Sequence, residues 1–559
     1  MKRRDFLQYG LKGMSLALVA NASRNLWSAT ASPHQFVDVT AKAGIHFRHV
    51  NAATGQKFLM ESMAPGCALF DFDNDGYLDI YFVNGDALPG FEKKGPISNA
   101  LYRNNRDGTF TDVTAKADVP GHGYGMGVVA GDYNNDGFQD LFVTSFGSSI
   151  LYRNNGNGTF TDVTAKAGLN NRGWGTSAAF FDYDNDGFLD LFICNYVDFS
   201  LDRNVFCGSP ERGRGYCSPE NFTGTPCALY HNNGDGTFTD VTIPSGIGAH
   251  QAKALGVVTA DFNGDGYQDI YVANDRIANL LFINQGNGKF EEIGTLAGAA
   301  YTASGRAQSG MGVTTADYDG DGRLDIAVTN LSMEGYSLFH NDGDLQFTEA
   351  SFPTGMGAPS LMLTGWGGSF FDYDNDGDED FVAVNGHVMD NVSLATPDLS
   401  YLQPVLMLKN TNGRFENVSS QHGDALMTLR ASRGLAVGDY DNDGNMDLLI
   451  SNCDGAPTLL RNEGNGSNHW LKIQPVGKKS NRDGIGIKVW VTAGGKTHMK
   501  ELTGGGSYLS SCDRRLHFGL GPNQTADSIR VAWPSGVKQQ LEHVRGDRIL
   551  RLEEPAVSK

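Results

Sequence analysis

One acidic nonapeptide recurs seven times along this chain, and the recurrence limits the possible folds more than any other feature. It reads DFDNDGYLD from Asp71 and returns as DYNNDGFQD, DYDNDGFLD, DFNGDGYQD, DYDGDGRLD, DYDNDGDED and DYDNDGNMD, with starts 50 to 79 residues apart. Repetition at such periods marks an array of like supersecondary units. The length of 559 residues, too great for one ordinary core, fits an array or two domains.

Within each nonapeptide, positions 1, 3, 5 and 9 carry oxygen donors and position 6 is Gly. The donors are Asp71, Asp73, Asp75 and Asp79; Asp132, Asn134, Asp136 and Asp140; Asp182, Asp184, Asp186 and Asp190; Asp261, Asn263, Asp265 and Asp269; Asp317, Asp319, Asp321 and Asp325; Asp372, Asp374, Asp376 and Asp380; and Asp439, Asp441, Asp443 and Asp447. With a main-chain carbonyl at position 7, this set suits a hard cation that wants six to eight oxygens at about 2.4 Å, and Gly permits the sharp turn. The reading is up to seven Ca²⁺ sites. Loops 2 and 4, with Asn134 and Asn263 at position 3, carry one charge fewer and are expected to bind more weakly.

An EF-hand would place a bidentate Glu at position 12. Here position 12 is Phe82, Val143, Ile193, Val272, Val328, Ala383 or Ile450, each within an apolar run such as DIYFVN or DLLISN. Those runs read as buried strands, so each loop closes a β-hairpin. A small-residue strand precedes each loop, and segments like LYRNN and GTFTDVT follow, giving four strands per unit. Four-stranded units at these spacings are what the blades of a β-propeller require; a calcium β-roll would have abutting repeats. The predicted fold is all-β: a seven-bladed β-propeller over 32–466, in which FVDVT from Phe36 completes the last blade, followed by a small C-terminal β-domain over 467–559 acting as a second module.

The blades resemble the FG-GAP repeats of integrin α-subunit propellers. NHWLKI, SNRDGIGIKVWV, GGGSYLSS, LHFGLG and VAWPSG resemble the ASPIC/UnbV domain. Together the chain resembles the cartilage-acidic-protein-like family, which implies an exported calcium-binding recognition module. Trp533 of VAWPSG reads as a buried aromatic before a tight turn.

The N-terminus carries Arg3-Arg4 ahead of Phe6-Leu7, a modest apolar stretch and small residues at 29–31. Residues 1–31 therefore resemble a twin-arginine signal peptide, with the product expected in the periplasm or outside the cell. No run of 18 apolar residues offers a transmembrane anchor. The net charge of −20 speaks against nucleic acid; 26 carboxylates at the ligand positions account for much of the acidity. Of seven cysteines, Cys207, Cys217 and Cys227 crowd one insertion, where export permits a disulfide.

Length variation concentrates in the connections from strand two to three and from four to one, which open on the face opposite the acidic loops. That far face is the expected recognition surface for a protein or glycan, the calcium face being uniform by comparison. Asn84, Ser145, Asn195, Asn274, Asn330, Asn385 and Asn452 end the second strands, and His122, Trp174, Lys253, Arg306, Trp366 and Arg433 lie near the starts of the first. They are expected round one mouth of the central channel, either as ligand groups or as turn caps and rim filling. No catalytic motif is present. A periplasmic enzyme or assembly factor using His122, His387 or Cys453 at the channel mouth is the alternative.

Overall fold

A computed structural model of the chain describes residues 35–209, 213–464 and 466–556; the expected leader at 1–31 lies outside them. The fold is all-β, and among the described residues helix is confined to single turns. No helix among the described residues is long and apolar enough to cross a membrane.

Each acidic nonapeptide closes an antiparallel hairpin. In the first, strand Cys67–Phe70 pairs with Asp79–Phe82, placing Phe70 opposite Asp79 at the loop's base. Strands Ala100–Asn104 and Phe110–Asp112 complete a four-stranded meander. Among the described residues this arrangement occurs seven times. The strand sequences explain their places. First strands such as YGMGVVAG are buried throughout and made of small or apolar residues, because neighbouring sheets press on both faces. Fourth strands such as Phe160–Asp162 bury only their Phe and form the outer edges. The seventh sheet takes its outer strand from the start of the chain: Phe36–Asp38 pairs with Thr458–Asn462, Phe36 opposite Asn462.

A buried asparagine at or near the end of every third strand links the sheets. Its backbone N–H donates to the position 9 Asp of its own loop, as Asn154 does to Asp140 Oδ1 at 2.7 Å. Its side-chain amide donates to the position 2 carbonyl of the preceding loop: Asn154 to Phe72, Asn232 to Tyr133, Asn284 to Tyr183, Asn341 to Phe262, Asn410 to Tyr318 and Asn462 to Tyr373. Asn104 of the first sheet donates to Tyr440 of the seventh loop at 2.9 Å, so the order of ties is cyclic. First strands touch one another in the same order, Ser432–Gly438 against Cys67–Phe70 included.

The C-terminal region forms a three-stranded and a four-stranded sheet. Trp533 is buried there, with Gly536 at φ 83° closing the turn. Part of this region reaches in among the seven sheets. Residues 504–513 leave it and run between the first strands of all seven sheets. Gly504 pairs with Thr259, and Val313 N–H donates to Ser507 O. Ser507 Oγ donates to Leu435 O, Leu509 N–H to Ser177 Oγ and Val128 N–H to Leu509 O. Ser511 exchanges main-chain bonds with Cys67 and Leu69, and the Tyr508 ring packs 4.9 Å from Trp366. The space between the first strands is therefore filled by the chain's own GGGSYLSS motif. Gly66 is required where the segment passes, since a Cβ there would lie 1.9 Å from Leu509 O.

Candidate metal centres

Loop geometry follows from the acid spacing. Asp71 accepts N–H bonds from Asp75 at 3.0 Å and Gly76 at 2.8 Å, Asp75 accepts from Tyr77, and Asp79 accepts from Phe72 and Asn104. The carboxylates thus organise the turn and converge on one point. Oxygens of Asp71, Asp73 and Asp79 lie within 4.8 Å of one another, as do those of Asp182, Asp184 and Asp190 and those of Asp317, Asp319 and Asp325. Asp73 Oδ1, Asp140 Oδ2, Asp317 Oδ1 and Asp441 Oδ1 are buried without a hydrogen-bond donor. Burial, with neighbouring carboxylates adding to it, pushes Asp79 up to about 8, Asp182 to about 8 and Asp325 to about 9. Converging buried oxygens that lack donors fit a hard divalent cation.

A feature missed in the sequence joins the loops. Position 4 is Asn in five of them, held at positive φ, and its amide donates to the position 6 carbonyl of the next loop. Asn74 donates to Gly137, Asn135 to Gly187, Asn185 to Gly266, Asn375 to Gly444 and Asn442 to Gly76. Loops 4 and 5 have Gly264 and Gly320 there instead. The contrast of DNDG with NGDG and DGDG was visible, but the partner lies a whole repeat away.

The C-terminal region covers part of the face that carries the acidic loops. Lys488 Nζ lies 2.8 Å from Asp261 Oδ2 in loop 4, and Lys472 pairs with Asp439 in loop 7. Asp483, paired with Arg514, accepts from the N–H of Asp132 in loop 2, and Lys500 pairs with Glu379 beside loop 6. Loops 2 and 4, short of one ligand charge, thus also meet C-terminal charged groups. Asn134 and Asn263 each spend their amide oxygen on the N–H two residues ahead.

On the far face several expected mouth residues are internal. Arg433 and Trp366 are buried, the guanidinium stacked 4.2 Å over the indole and donating to the carbonyls of Ser62, Gly386, Ser432 and His387. Trp174 is buried against Phe146, Tyr196 and Phe199. Asn84 caps turns, accepting from Val50 N–H and donating to Arg48 and Ser98 carbonyls. His122, just before the first strand Tyr124–Gly131, is exposed beside Asp162 of the outer strand Phe160–Asp162. Cys453 is buried, its thiol donating to Glu61 O. His387, lowered to about 4 by burial, lines a cavity of about 200 Å³ with Trp366, Met311, Tyr216 and Asp275. Cys207 and Cys217 are disulfide-bonded, while Cys227 is a buried free thiol.

All but one of the large apolar side chains exposed among the described residues lie in far-face connections, Val37 being the exception. Val205 and Phe206, Met333, Leu394 and Leu402 follow second strands; Ile243, Leu296, Phe352, Met362, Met427 and Leu429 follow fourth strands.

Comparison with known proteins matches this arrangement. An FG-GAP-like repeat model matches residues 71–143, 132–193, 221–272, 261–328 and 317–383, about half of the chain, and an ASPIC and UnbV model matches 477–559, which contains the axial segment. Cartilage acidic protein 1 of Mus musculus is 28% identical over 303 residues, covering 53% of this chain and 44% of that protein. The Xenopus tropicalis protein of that name is 27% identical over 289 residues, covering 50% and 42%; the match spans less than half of these relatives. Among solved structures, an Agrocybe aegerita lectin that recognises non-reducing terminal N-acetylglucosamine covers 70% of this chain and 87% of its own, at 16% identity and TM-score 0.37. A Bacillus licheniformis rhamnogalacturonan lyase covers 71% of each at 13% identity and TM-score 0.36; neither bears on the chemistry of this chain. With FG-GAP-like repeats bearing its acidic loops and an ASPIC and UnbV region supplying its axial segment, the chain belongs to the family that joins the two and includes the cartilage acidic proteins.

Proposed function

We propose that the seven sheets are the blades of a closed β-propeller over 32–466, stiffened by calcium in its hairpin loops and exported to act as a non-enzymatic recognition module. On this reading the partner, a protein or glycan, binds the far face. The observation that carries it is the gathering of exposed Phe206, Met333, Leu394 and their neighbours on far-face connections while the C-terminal region covers part of the other face. Exposed apolar groups rimmed by polar loops mark interaction surfaces, and their chemistry favours a protein partner. Kinship with the cartilage acidic proteins supports an extracellular module, though the match covers less than half of those proteins.

Two measurements test this. Chelator should lower the melting temperature, and Ca²⁺ should restore it better than Mg²⁺, which demands stricter octahedral geometry. Partner capture on protein and glycan arrays should be lost in Phe206→Asp and Leu394→Asp and kept in Arg153→Ser on the metal face. Retained capture by the far-face variants would overturn the assignment.

A further inference from the structure

The residue just before the linking asparagine occupies one register position in every sheet, beside the acidic loop. It is Arg103, Arg153, His231, Ile283, His340, Lys409 and Arg461 in turn. Guanidinium and ammonium groups have no lone pair to give, whereas a neutral imidazole nitrogen is a metal ligand. The repeat thus places a nitrogen donor at loops 3 and 5 and at no other loop from this position.

His340 Nδ1 lies 3.1 Å from Asp325 Oδ1 and 3.4 Å from Asp319 Oδ2. His231 Nδ1 lies 3.2 Å from Asp190 Oδ1 and 3.5 Å from Asp184 Oδ2. Two metal bonds of about 2.0–2.2 Å at tetrahedral or octahedral angles put their ligand atoms roughly 2.9–3.5 Å apart. Both Nδ1 atoms are shielded from solvent and face only carboxylate oxygens. An orphaned oxygen points the same way, for Asp317, 9% exposed, holds its Oδ1 in loop 5 without a donor. Nδ1 is bonded directly to the ring carbon next to Cβ, so it cannot swing away as a lysine would. Edge contacts from Tyr183 at 5.9 Å and Tyr318 at 6.1 Å fix the rings. Asp184, Asp319 and Asp321 remain exposed, leaving an entry path.

We propose that loops 3 and 5 are mixed oxygen–nitrogen sites that take a zinc-like divalent transition metal in preference to calcium, with His231 and His340 as the nitrogen ligands. Imidazole favours such metals, while all-oxygen sets favour calcium. The inference rests on the reading of the acidic loops as metal sites.

The test uses the full exported chain, stripped with chelator, given a few equivalents of Zn²⁺ in millimolar Ca²⁺, dialysed and counted by mass spectrometry. Two zinc ions per chain are expected to remain, falling to one in His231→Gln or His340→Gln and to none in the double variant, whose calcium content should not fall. Loading with Co²⁺ should give visible absorption that the double variant lacks. No zinc retained beside bound calcium, or two retained by the double variant, would overturn this inference and leave the calcium reading standing. Failure to bind either metal would overturn both.

Discussion

The ammonium of Lys472, on the first strand of the C-terminal region, pairs with Asp439, the first residue of the seventh acidic loop, and both side chains are shut off from solvent. Burial pulls the lysine downward while Asp439 holds it up. Truncating one member of such a pair leaves a buried charge uncompensated. Lys472→Ala is expected to cost about 3–5 kcal/mol in denaturant unfolding. On the calcium reading, added Ca²⁺ should restore more stability to this variant than to the parent, because a cation in loop 7 replaces the missing charge.

The linking asparagines should be costly one at a time. Asn232 donates to both Tyr133 and Leu189 carbonyls at 2.8 Å, and alanine would leave two buried acceptors unpaired. A loss of about 2–3 kcal/mol is expected for Asn232→Ala. Asn104→Ala, which cuts the tie between first and last sheets, should cost as much by the same measurement.

Gly66→Ala tests the axial passage. The clash is with the main-chain oxygen of Leu509, so trimming the leucine side chain cannot relieve it. Overpacking of about 1–3 kcal/mol is expected, and Leu509→Ala should not rescue the melting temperature of the double variant.

A chain ended at residue 466 would lose the partners of Val128, Val313 and Leu69 N–H groups along the axis. It is expected to bind a hydrophobic dye and to elute as aggregate in size exclusion, whereas the full chain elutes as a compact species.

Acid should weaken the protein through His49. Its Nδ1 accepts from Asp454 N–H, and burial, reinforced by Arg433 and Arg48, lowers it to about 3. A folded value below the unfolded one of about 6.5 means the native state binds fewer protons. Stability is full above that value and falls by about 1.4 kcal/mol per pH unit as pH drops from 6.5 toward 3. At fixed calcium, His49→Asn should flatten the fall between pH 6.5 and 5; an unchanged slope would remove His49 as its source.

What the sequence made legible was local. Acids two apart with Gly at position 6 dictate the hairpin turn through bonds spanning five residues, and the apolar twelfth positions fall in strands as expected. What stayed hidden depends on partners one or more repeats away. Asn154 stands in plain view in LYRNN, yet its role needs Phe72, 82 residues earlier. Position near the starts of first strands put Arg433 and Trp366 round a channel mouth, as ligand groups or rim filling, but the arginine finds four backbone carbonyls inside and the indole covers it. The GGGSYLSS motif has the bland composition of a Gly-Ser turn, and only its contacts with the first strands give it a place.

That axial strand also ends the equivalence of the repeats. The acidic hairpins are near copies, but Gly504, Ser507, Leu509 and Ser511 address different sheets or sets of sheets. Such a segment works like a key cut for seven unlike pins. Duplicating, deleting or exchanging a sheet would put the wrong notch against every later one, so the repeat number is locked by a stretch of chain that is not itself a repeat.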